Sequence, residues 1–291
     1  MQGLSTHAKG LWITGLGVLV ITPETLLIRL VAADPWTLLV WRSTLMALAM
    51  TIGLLIIYRG RTLACFRSIG RTGLAVSLVI SVASICFILA LDHTSVANVL
   101  IIMAAAPLFA GLFSALFLGE PPPLITWLAI AGAMLGIGVI VTGSLGGGSL
   151  VGDLFALGMA ASLGGAFTII RQARAVSMVP AMVVSGVLTA LVCLPLSAPL
   201  SIQSDDIVYL LLIGLAILPL ATALQTLGPR YLPAPEVSLL VLLETVLGPF
   251  WVWLVLAETP SQQTLLGGAV VITVLVAHSV LSLRRAAVAM P

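Results

Sequence analysis

The chain has 291 residues, of which 60% are hydrophobic and only 8% are charged. Soluble domains are typically about 45–50% apolar and about 25% charged, so this composition excludes an ordinary soluble protein and indicates one embedded in lipid. The net charge of +2 and the scattered basic residues give no basis for nucleic-acid binding. The three cysteines lie far apart, which predicts neither a disulfide framework nor a zinc site.

Ten apolar runs follow one another along the chain, each near the length of about 20 residues that a membrane-spanning helix needs. They predict an all-α integral membrane protein with ten transmembrane helices. The first run follows Lys9 and could mimic a signal peptide, but it is long enough to span and many spans follow. The runs lie near residues 10–32, 36–58, 70–92, 95–118, 124–143, 151–171, 178–200, 206–228, 234–257 and 263–283.

The positions of the basic residues predict the orientation. Nearly all of them fall on one side of the alternating runs, with Arg29 as the exception, and the basic side is expected to be cytoplasmic. An even number of spans then places both termini in the cytoplasm. The basic side carries Lys9, Arg59, Arg61, Arg67, Arg71, Arg171, Arg174, Arg230, Arg284 and Arg285.

The two halves of the chain, residues 1–143 and 151–291, resemble each other in sequence. Between them lies a Gly/Ser-rich segment, residues 144–150, which reads as a flexible linker. Each match is weak alone, but the shared order of Arg, Ser and Glu-x-Pro indicates a repeat. The matched pairs are Ile28-Arg29 and Ile170-Arg171, Ser43 and Ser185, Leu118-Gly119-Glu120 and Leu256-Ala257-Glu258, and Pro122 and Pro260.

The repeat predicts how the two halves lie in the bilayer. Each half holds five runs, and because five is odd, the second half enters the membrane from the opposite side. Inverted five-helix repeats are a common architecture of secondary transporters, whose substrate site lies near the midplane between the repeats. Two similar halves in opposite senses can exchange conformations and so open the site to alternate sides.

Three motifs carry a resemblance to a known family: Leu118-Gly119-Glu120-Pro121, Ala257-Glu258-Thr259-Pro260 and Gly152-Asp153. With the two five-helix halves, they resemble the EamA family of the drug/metabolite transporter superfamily, and among its members the YddG-type exporters of aromatic amino acids. The resemblance implies a central cavity lined mainly by the third, fourth, eighth and ninth helices, in a bacterial cytoplasmic (inner) membrane. It implies amino-acid export without cofactors, ATP or enzymatic activity, and the chain has no phosphate-binding Gly-x-x-x-x-Gly-Lys-Ser/Thr motif.

Glu24, Arg42 and Glu244 fall inside predicted spans, where a charge costs roughly 2.5–3.5 kcal/mol on insertion scales. Glu24 and Arg42 are expected at similar depth on adjacent antiparallel helices, so they are expected to meet. One interpretation is a buried ion pair that fixes helix packing. The other is a gating or proton-linked pair.

Glu244 lies near the centre of the ninth run. Its counterpart in the first half is Ala106, and Glu24 and Arg42 match Ala166 and Val184, so the charges are not part of the repeat. That asymmetry favours a specific role. Glu244 is expected either to bind a proton or a substrate amino group, or to be a neutral carboxyl that hydrogen-bonds a neighbouring helix.

Uncharged polar residues supply further candidates for the cavity. Gln225 is grouped with the charged residues as a substrate- or proton-linked candidate, because an amide in lipid needs partners. Hydroxyls in membrane helices also serve packing or bond their own backbone, and that alternative stays open. The cavity-lining candidates are Ser77, Ser81 and Ser84 on one face of the third run, and Asn98, Met103, Thr222, Ser238 and Trp251.

Prolines inside the runs predict irregular helices. Pro107, Pro219 and Pro249 each fall within a predicted span and are expected to loosen or kink it. The histidines have no partners at metal-binding spacing, so no metal site is predicted.

The leading prediction is therefore a secondary exporter of amino acids, aromatic or otherwise apolar. The alternatives are a broad-specificity drug or cation exporter and a channel-like facilitator. A membrane enzyme is less well supported, because the sequence offers no Ser-His-Asp set and no metal cluster. The expected partners are a small-molecule substrate and the lipid bilayer, and both a monomer and a homodimer are compatible with the sequence.

Overall fold

The computed structural model describes residues 6–93, 96–142, 150–256 and 262–288, and all regular structure in those residues is helical. Six helical stretches are long and apolar enough to cross a membrane, and four shorter apolar helices lie at the remaining predicted runs. The count of ten spans stays a prediction. The long stretches are Thr6–Leu30, Pro35–Ser68, Gly70–His93, Leu154–Gln172, Val179–Leu196 and Ser204–Arg230, and the shorter ones are Ala106–Leu118, Leu124–Gly136, Leu239–Val255 and Leu265–His278.

The first half contains α1 to α8. A 3₁₀ turn at Arg59–Arg61 joins α3 to α4, and a π-helical turn at Ser114–Leu118 follows α7. The helices are α1 (Thr6–Ile21), α2 (Glu24–Leu30), α3 (Pro35–Tyr58), α4 (Thr62–Ser68), α5 (Gly70–His93), α6 (Val96–Met103), α7 (Ala106–Phe113) and α8 (Leu124–Thr142).

The second half contains α9 to α15. Of the predicted linker, residues 144–150, the first six lie outside the described residues, and Leu150 already belongs to α9. A π-helical segment, Leu212–Ile217, joins α11 to α12. The helices are α9 (Leu150–Gln172), α10 (Val179–Cys193), α11 (Ser204–Leu211), α12 (Leu218–Leu227), α13 (Ala234–Val241), α14 (Leu243–Leu256) and α15 (Gln262–Val288).

Several of the apolar runs form interrupted helices. The first run breaks between α1 and α2 at Pro23, and the fourth breaks between α6 and α7, just before Pro107. The π-helical segment of the eighth run ends just before Pro219. Proline lacks a backbone N–H and crowds the preceding turn, which explains these positions. The expected irregularity is confirmed at Pro107 and Pro219, whereas α14 runs through Pro249 without a break.

The interruption of the ninth run, at Leu242 between α13 and α14, occurs without an adjacent proline. It corresponds to the break at Ala104 in the fourth run, because the same number of residues separates Ala104 from Leu242 as separates Glu120 from Glu258. The break is therefore shared by both halves. Discontinuous helices at corresponding positions of two repeats point to the substrate site of a transporter.

Helices of the two halves pack extensively against each other. The contacts between halves include α5 with α9 and α10, α3 with α10, α1 with α12, α7 with α9, and α8 with α15. Glycines permit the closest approaches: a Cβ at Gly186 would lie 2.8 Å from the carbonyl oxygen of Ser43, and one at Gly164 would lie 2.7 Å from that of Ala106. Small residues at such crossings allow van der Waals packing of helices in lipid.

Several of the predicted basic residues, Lys9, Arg171, Arg174 and Arg230, lie at one end of the bundle, called here the basic face. Lys9 lies 5.2 Å from the centre of the Tyr231 ring, and Arg230 Nε donates to the Arg174 carbonyl at 2.9 Å. There Arg171 Nε also donates to Glu120 Oε2 at 3.1 Å, which joins the two halves. His7 Nε2 lies 2.8 Å from Glu236 Oε2.

Candidate functional site

A cavity of about 140 Å³ lies between the two halves. One buried water needs only about 10–15 Å³, so this space has room for a small molecule. The first half contributes α3 and α5, and the second half contributes α9, α10 and α12. The lining residues are Arg42, Ser43, Met46, Ile80, Ala83, Ser84, Phe87, Met159, Leu163, Phe167, Ile170, Met182, Ser185, Gly186, Thr189, Leu218, Thr222, Gln225 and Thr226.

The walls of the cavity are mostly apolar, with methionines and two phenylalanines supplied by both halves. Polar groups are few: six hydroxyls, the amide of Gln225 and the guanidinium of Arg42. Among the lining residues that the structure describes, Arg42 is the single charged one. Pockets of this kind take ligands that are largely apolar and are oriented by a few polar groups.

The position of Arg42 follows from the start of α3. Asp34 caps this helix, because its Oδ1 accepts hydrogen bonds from the backbone N–H groups of Trp36 and Thr37 at 3.1 and 3.0 Å. Pro35 occupies the first turn, where its missing N–H costs nothing. Arg42 lies two turns further along, which places its guanidinium at the cavity.

Arg42 and Glu24 form a buried ion pair. Arg42 Nε donates to Glu24 Oε1 at 2.6 Å, and Nη2 contacts the same oxygen. The residues are only 7% and 2% exposed. The proximity expected from their depth is confirmed, whereas a gating or proton-linked role stays a prediction. Removing either partner would leave an uncompensated charge in the bundle.

The rest of the guanidinium faces the cavity lining. Its Nη1 donates to Ser84 Oγ at 2.8 Å, and its carbon lies 5.9 Å from the centre of the Phe87 ring. Both Ser84 and Phe87 line the cavity, whereas Glu24 lies behind Arg42 and does not. One edge of the guanidinium is therefore held by Glu24, and the remainder is turned toward the space between the halves.

Glu244 lies in the first turn of α14, directly after the break in the ninth run. It is 7% exposed and close enough to Glu24 and Arg42 for their charges to interact, although it does not line the described cavity. The N-terminus of a helix favours a negative charge, so the break offers this carboxyl a suitable position. Trp251, further along α14, donates from Nε1 to Thr22 Oγ1 at 2.8 Å.

The structure separates the remaining cavity candidates into two groups. Ser84, Thr222 and Gln225 line the cavity. Ser77 and Ser81 instead bind α5 to α10, because their hydroxyls donate to the carbonyls of Ala181 and Ser185 at 2.8 and 3.0 Å. Met103 is buried and Trp251 bonds Thr22, and neither is part of the lining. The side chains of Asn98 and Ser238 lie outside the described part of the structure.

Two lining residues carry a signal that the sequence interpretation used only as evidence of a repeat. Ser43 and Ser185 occupy matched positions in the two halves, and both line the cavity. Both lie inside predicted spans rather than at their ends, so the matched hydroxyls could have indicated the site. The resemblance implied a lining by the third, fourth, eighth and ninth runs. The described lining includes the third and eighth runs, as α5 and α12, and adds α3, α9 and α10, but it includes no residue of the fourth and ninth runs.

A second pocket, of about 170 Å³, lies on the side of Arg42 away from the basic face and includes Arg29 and Asp92. On α3, Leu38 lines this outer pocket, and Arg42, one turn later, lines the cavity. On α5, Ile88 lines the second pocket and the adjacent Phe87 lines the cavity. The two spaces are therefore stacked along the bundle, with Arg42 at the boundary.

Comparison with known proteins decides the family. Residues 9–142 and 150–279 each match the EamA-like transporter family. The chain belongs to this family. A solved crystal structure aligns with 94% of this chain and 98% of its own chain, at a TM-score of 0.80 and 17% sequence identity, which shows a shared fold. No curated protein matches the chain.

As an EamA-like transporter, the chain carries two copies of the family domain, one in each half. The predicted membership of this family is confirmed. No named relative supports the closer likeness to YddG-type exporters, so that likeness stays a prediction. The helices and the family together describe a multi-pass membrane protein of a transporter family.

Proposed function

We propose that this EamA-like protein is a secondary transporter that exports small apolar metabolites, principally aromatic and other apolar amino acids. It acts from the cytoplasmic membrane of a bacterium, with both termini and the basic face in the cytoplasm. The observation that carries the proposal is the cavity between the halves, with its apolar walls and a single described charged group, Arg42.

The chemistry of the lining supports an apolar amino acid. Methionine is adaptable and accepts side chains of different shape, and phenylalanine favours aromatic rings. Met46, Met159 and Met182 together with Phe87 and Phe167 provide both kinds of surface. The hydroxyls of the cavity lining supply hydrogen bonds to a carboxylate or an amine.

The architecture supports alternating access. The cavity is built from both halves, and the fourth and ninth runs break at corresponding positions. Because the halves are inverted, an exchange of their conformations would close one side of the cavity and open the other. The Glu120–Arg171 ion pair joins the halves at the basic face and is suited to hold that side closed.

The first alternative, a drug or cation exporter, is less well matched. Aromatic faces attract cations, and Phe87 and Phe167 lie in the lining, but the described lining has no carboxylate and its one charged residue is itself a cation. The second alternative, a channel-like facilitator, would use the same cavity but would not accelerate the exchange of labelled for unlabelled substrate.

Transport in proteoliposomes tests the proposal. Purified protein is reconstituted, and uptake of labelled phenylalanine, leucine, lysine and an organic cation is measured with and without a pH gradient. We expect uptake of the apolar amino acids and accelerated exchange when unlabelled substrate is present on the other side. Equal flux of all solutes without counterflow would indicate a pore rather than a carrier. Uptake of the organic cation alone would favour the drug exporter.

A further inference from the structure

The free edge of the Arg42 guanidinium is a binding position for one charged group of a ligand. A guanidinium has five N–H groups. Nε and one N–H of Nη2 are directed to Glu24, and one N–H of Nη1 donates to Ser84. One N–H on each of Nη1 and Nη2 remains without a partner among the described residues. The end of the guanidinium away from Nε carries one N–H of Nη1 and one of Nη2.

Paired guanidinium N–H groups match the two oxygens of a carboxylate in spacing and in plane. Arg42 is 7% exposed and lines the cavity, so these donors are shielded from bulk water. Such hydrogen bonds to charged groups are among the stronger ones in proteins. Phe87 and Ser84 hold the guanidinium, which fixes the direction in which a carboxylate approaches.

Glu24 does not occupy the position that a ligand would use. Its contacts with Arg42 involve only Oε1 and the Nε side of the guanidinium. One guanidinium can accept a carboxylate at each of two edges because its donors diverge. Glu24 therefore orients Arg42 and leaves the second edge to the cavity.

The cavity treats an ammonium group differently. Within the described lining there is no carboxylate, and the acceptors are hydroxyls and the amide oxygen of Gln225. Neutral hydrogen bonds to these groups contribute less than a charge-assisted pair. An amino group is therefore tolerated by this cavity but is not its main point of recognition.

We propose that Arg42 is the carboxylate-binding residue of the central cavity, and that the ligand class is apolar monocarboxylates, of which apolar amino acids are one case. The proposal rests on the transport function above and narrows it. An aromatic acid that lacks the amino group binds, whereas the corresponding amine does not.

Competition binding to the purified full-length protein in nanodiscs tests the ligand class. Labelled L-phenylalanine is the reporter, and 3-phenylpropanoate, phenethylamine and L-phenylalaninamide are the competitors. We expect 3-phenylpropanoate to displace the reporter and the two compounds without a carboxylate to fail at about ten- to a hundredfold higher concentration. Displacement by phenethylamine as good as by the acid overturns the proposal, and so does the absence of any phenylalanine binding.

Two variants test the residue without depending on a damaged fold. R42K keeps a positive charge beside Glu24 but lacks the planar pair of donors. The double variant E24Q/R42Q removes both charges together and leaves neither uncompensated. We expect both to fold and to lose the preference for the acid over the amine. The control is R230Q, which removes a guanidinium at the basic face and is expected to keep the preference.

The results separate this proposal from the transport function. Transport of phenylalanine that R42K leaves unchanged in rate and in ligand preference would overturn the role of Arg42 and leave the transporter intact. The expected binding preference without any flux in proteoliposomes would support the role of Arg42 and contradict the transport function.

Discussion

At the scale of single residues, the arrangement of Glu24, Arg42 and Glu244 is governed by charge balance. Two carboxyl groups and one guanidinium lie close together in the bundle, and Glu24 directly holds Arg42. Charges in a poorly solvated interior are stable only when they are compensated. Any ligand that brings a carboxylate to Arg42 alters this balance, so the three residues are expected to respond together.

Loss of one member of the Glu24–Arg42 pair should destabilise the protein. E24Q leaves Arg42 buried without its counter-ion, and breaking such a pair costs about 3–5 kcal/mol. We expect a lower melting temperature for E24Q in detergent, and a partial recovery in E24Q/R42Q. If E24Q melts with the parent protein but does not transport, the pair serves gating rather than packing.

Substitution of Glu244 tests whether a proton is bound together with the substrate. A bound carboxylate adds a negative charge beside Glu24 and Glu244, and a proton taken up at the same time would cancel it. Within the described residues, no donor hydrogen-bonds the carboxyl of Glu244. We expect E244Q, which mimics the neutral form, to weaken the pH dependence of substrate binding. A pH profile that coincides with the parent's would assign Glu244 to packing.

At the scale of helices, close crossings rest on small residues. Gly10, Thr14 and Gly17 recur along one face of α1: Gly10 meets Tyr231 and Leu232, and a Cβ at Gly17 would lie 2.9 Å from Leu224 Cβ. A Cβ added at Gly228 would lie 2.3 Å from Thr14 Oγ1. Neighbouring helices in lipid associate through such close packing, since apolar side chains gain little by leaving one apolar medium for another.

This packing predicts opposite effects for two alanine substitutions in α1. G17A inserts a methyl group into the contact with α12 and should destabilise the protein by about 1–3 kcal/mol. G15A, the matched control, has nothing within 4 Å of its new Cβ. It should stabilise the protein slightly, by about 0.5–1 kcal/mol, because alanine favours a helix. Thermal unfolding of both variants checks the signs, and destabilisation by G15A would contradict the packing.

At the scale of the whole molecule, the Glu120–Arg171 pair is a contact between the two halves of the chain. The pair joins the end of the fourth run to the end of the sixth, across the two halves. Both residues have counterparts in the other half, Glu258 and Arg29, so the repeat shares the two residues that form this contact. The described contact places this Arg and this Glu in an interaction between the halves rather than within one.

Breaking this pair should shift the protein toward the state that is open at the basic face. Its partners are partly exposed, so the contribution is about 1 kcal/mol or less, and the shift is about fivefold at most. The test uses a reporter cysteine: Thr226, a cavity residue, is replaced by cysteine in a variant that lacks the native cysteines. We expect R171Q to speed its labelling by an impermeant maleimide from the basic face.

R174Q is the control for this experiment, because the side chain of Arg174 is exposed and lies close to the pair in sequence. It should leave the labelling rate unchanged. The charge-reversed variant E120R/R171E should restore the parent's slow labelling. Equal labelling in the parent, R171Q and the reversed variant would show that the pair does not control access to the cavity.

The sequence by itself determined the helical class, the repeat of two halves and the family, because lipid requires long apolar runs and the repeat leaves matched residues in order. It also predicted the meeting of Glu24 and Arg42, since depth in a bilayer follows from position along a helix. Only the tertiary structure decided which faces border the cavity. Ser77 and Ser81 share a helix face with Ser84, yet they bond the α10 backbone while Ser84 meets the cavity. The rotation of one helix against its neighbours depends on packing over the whole bundle, which no local pattern encodes.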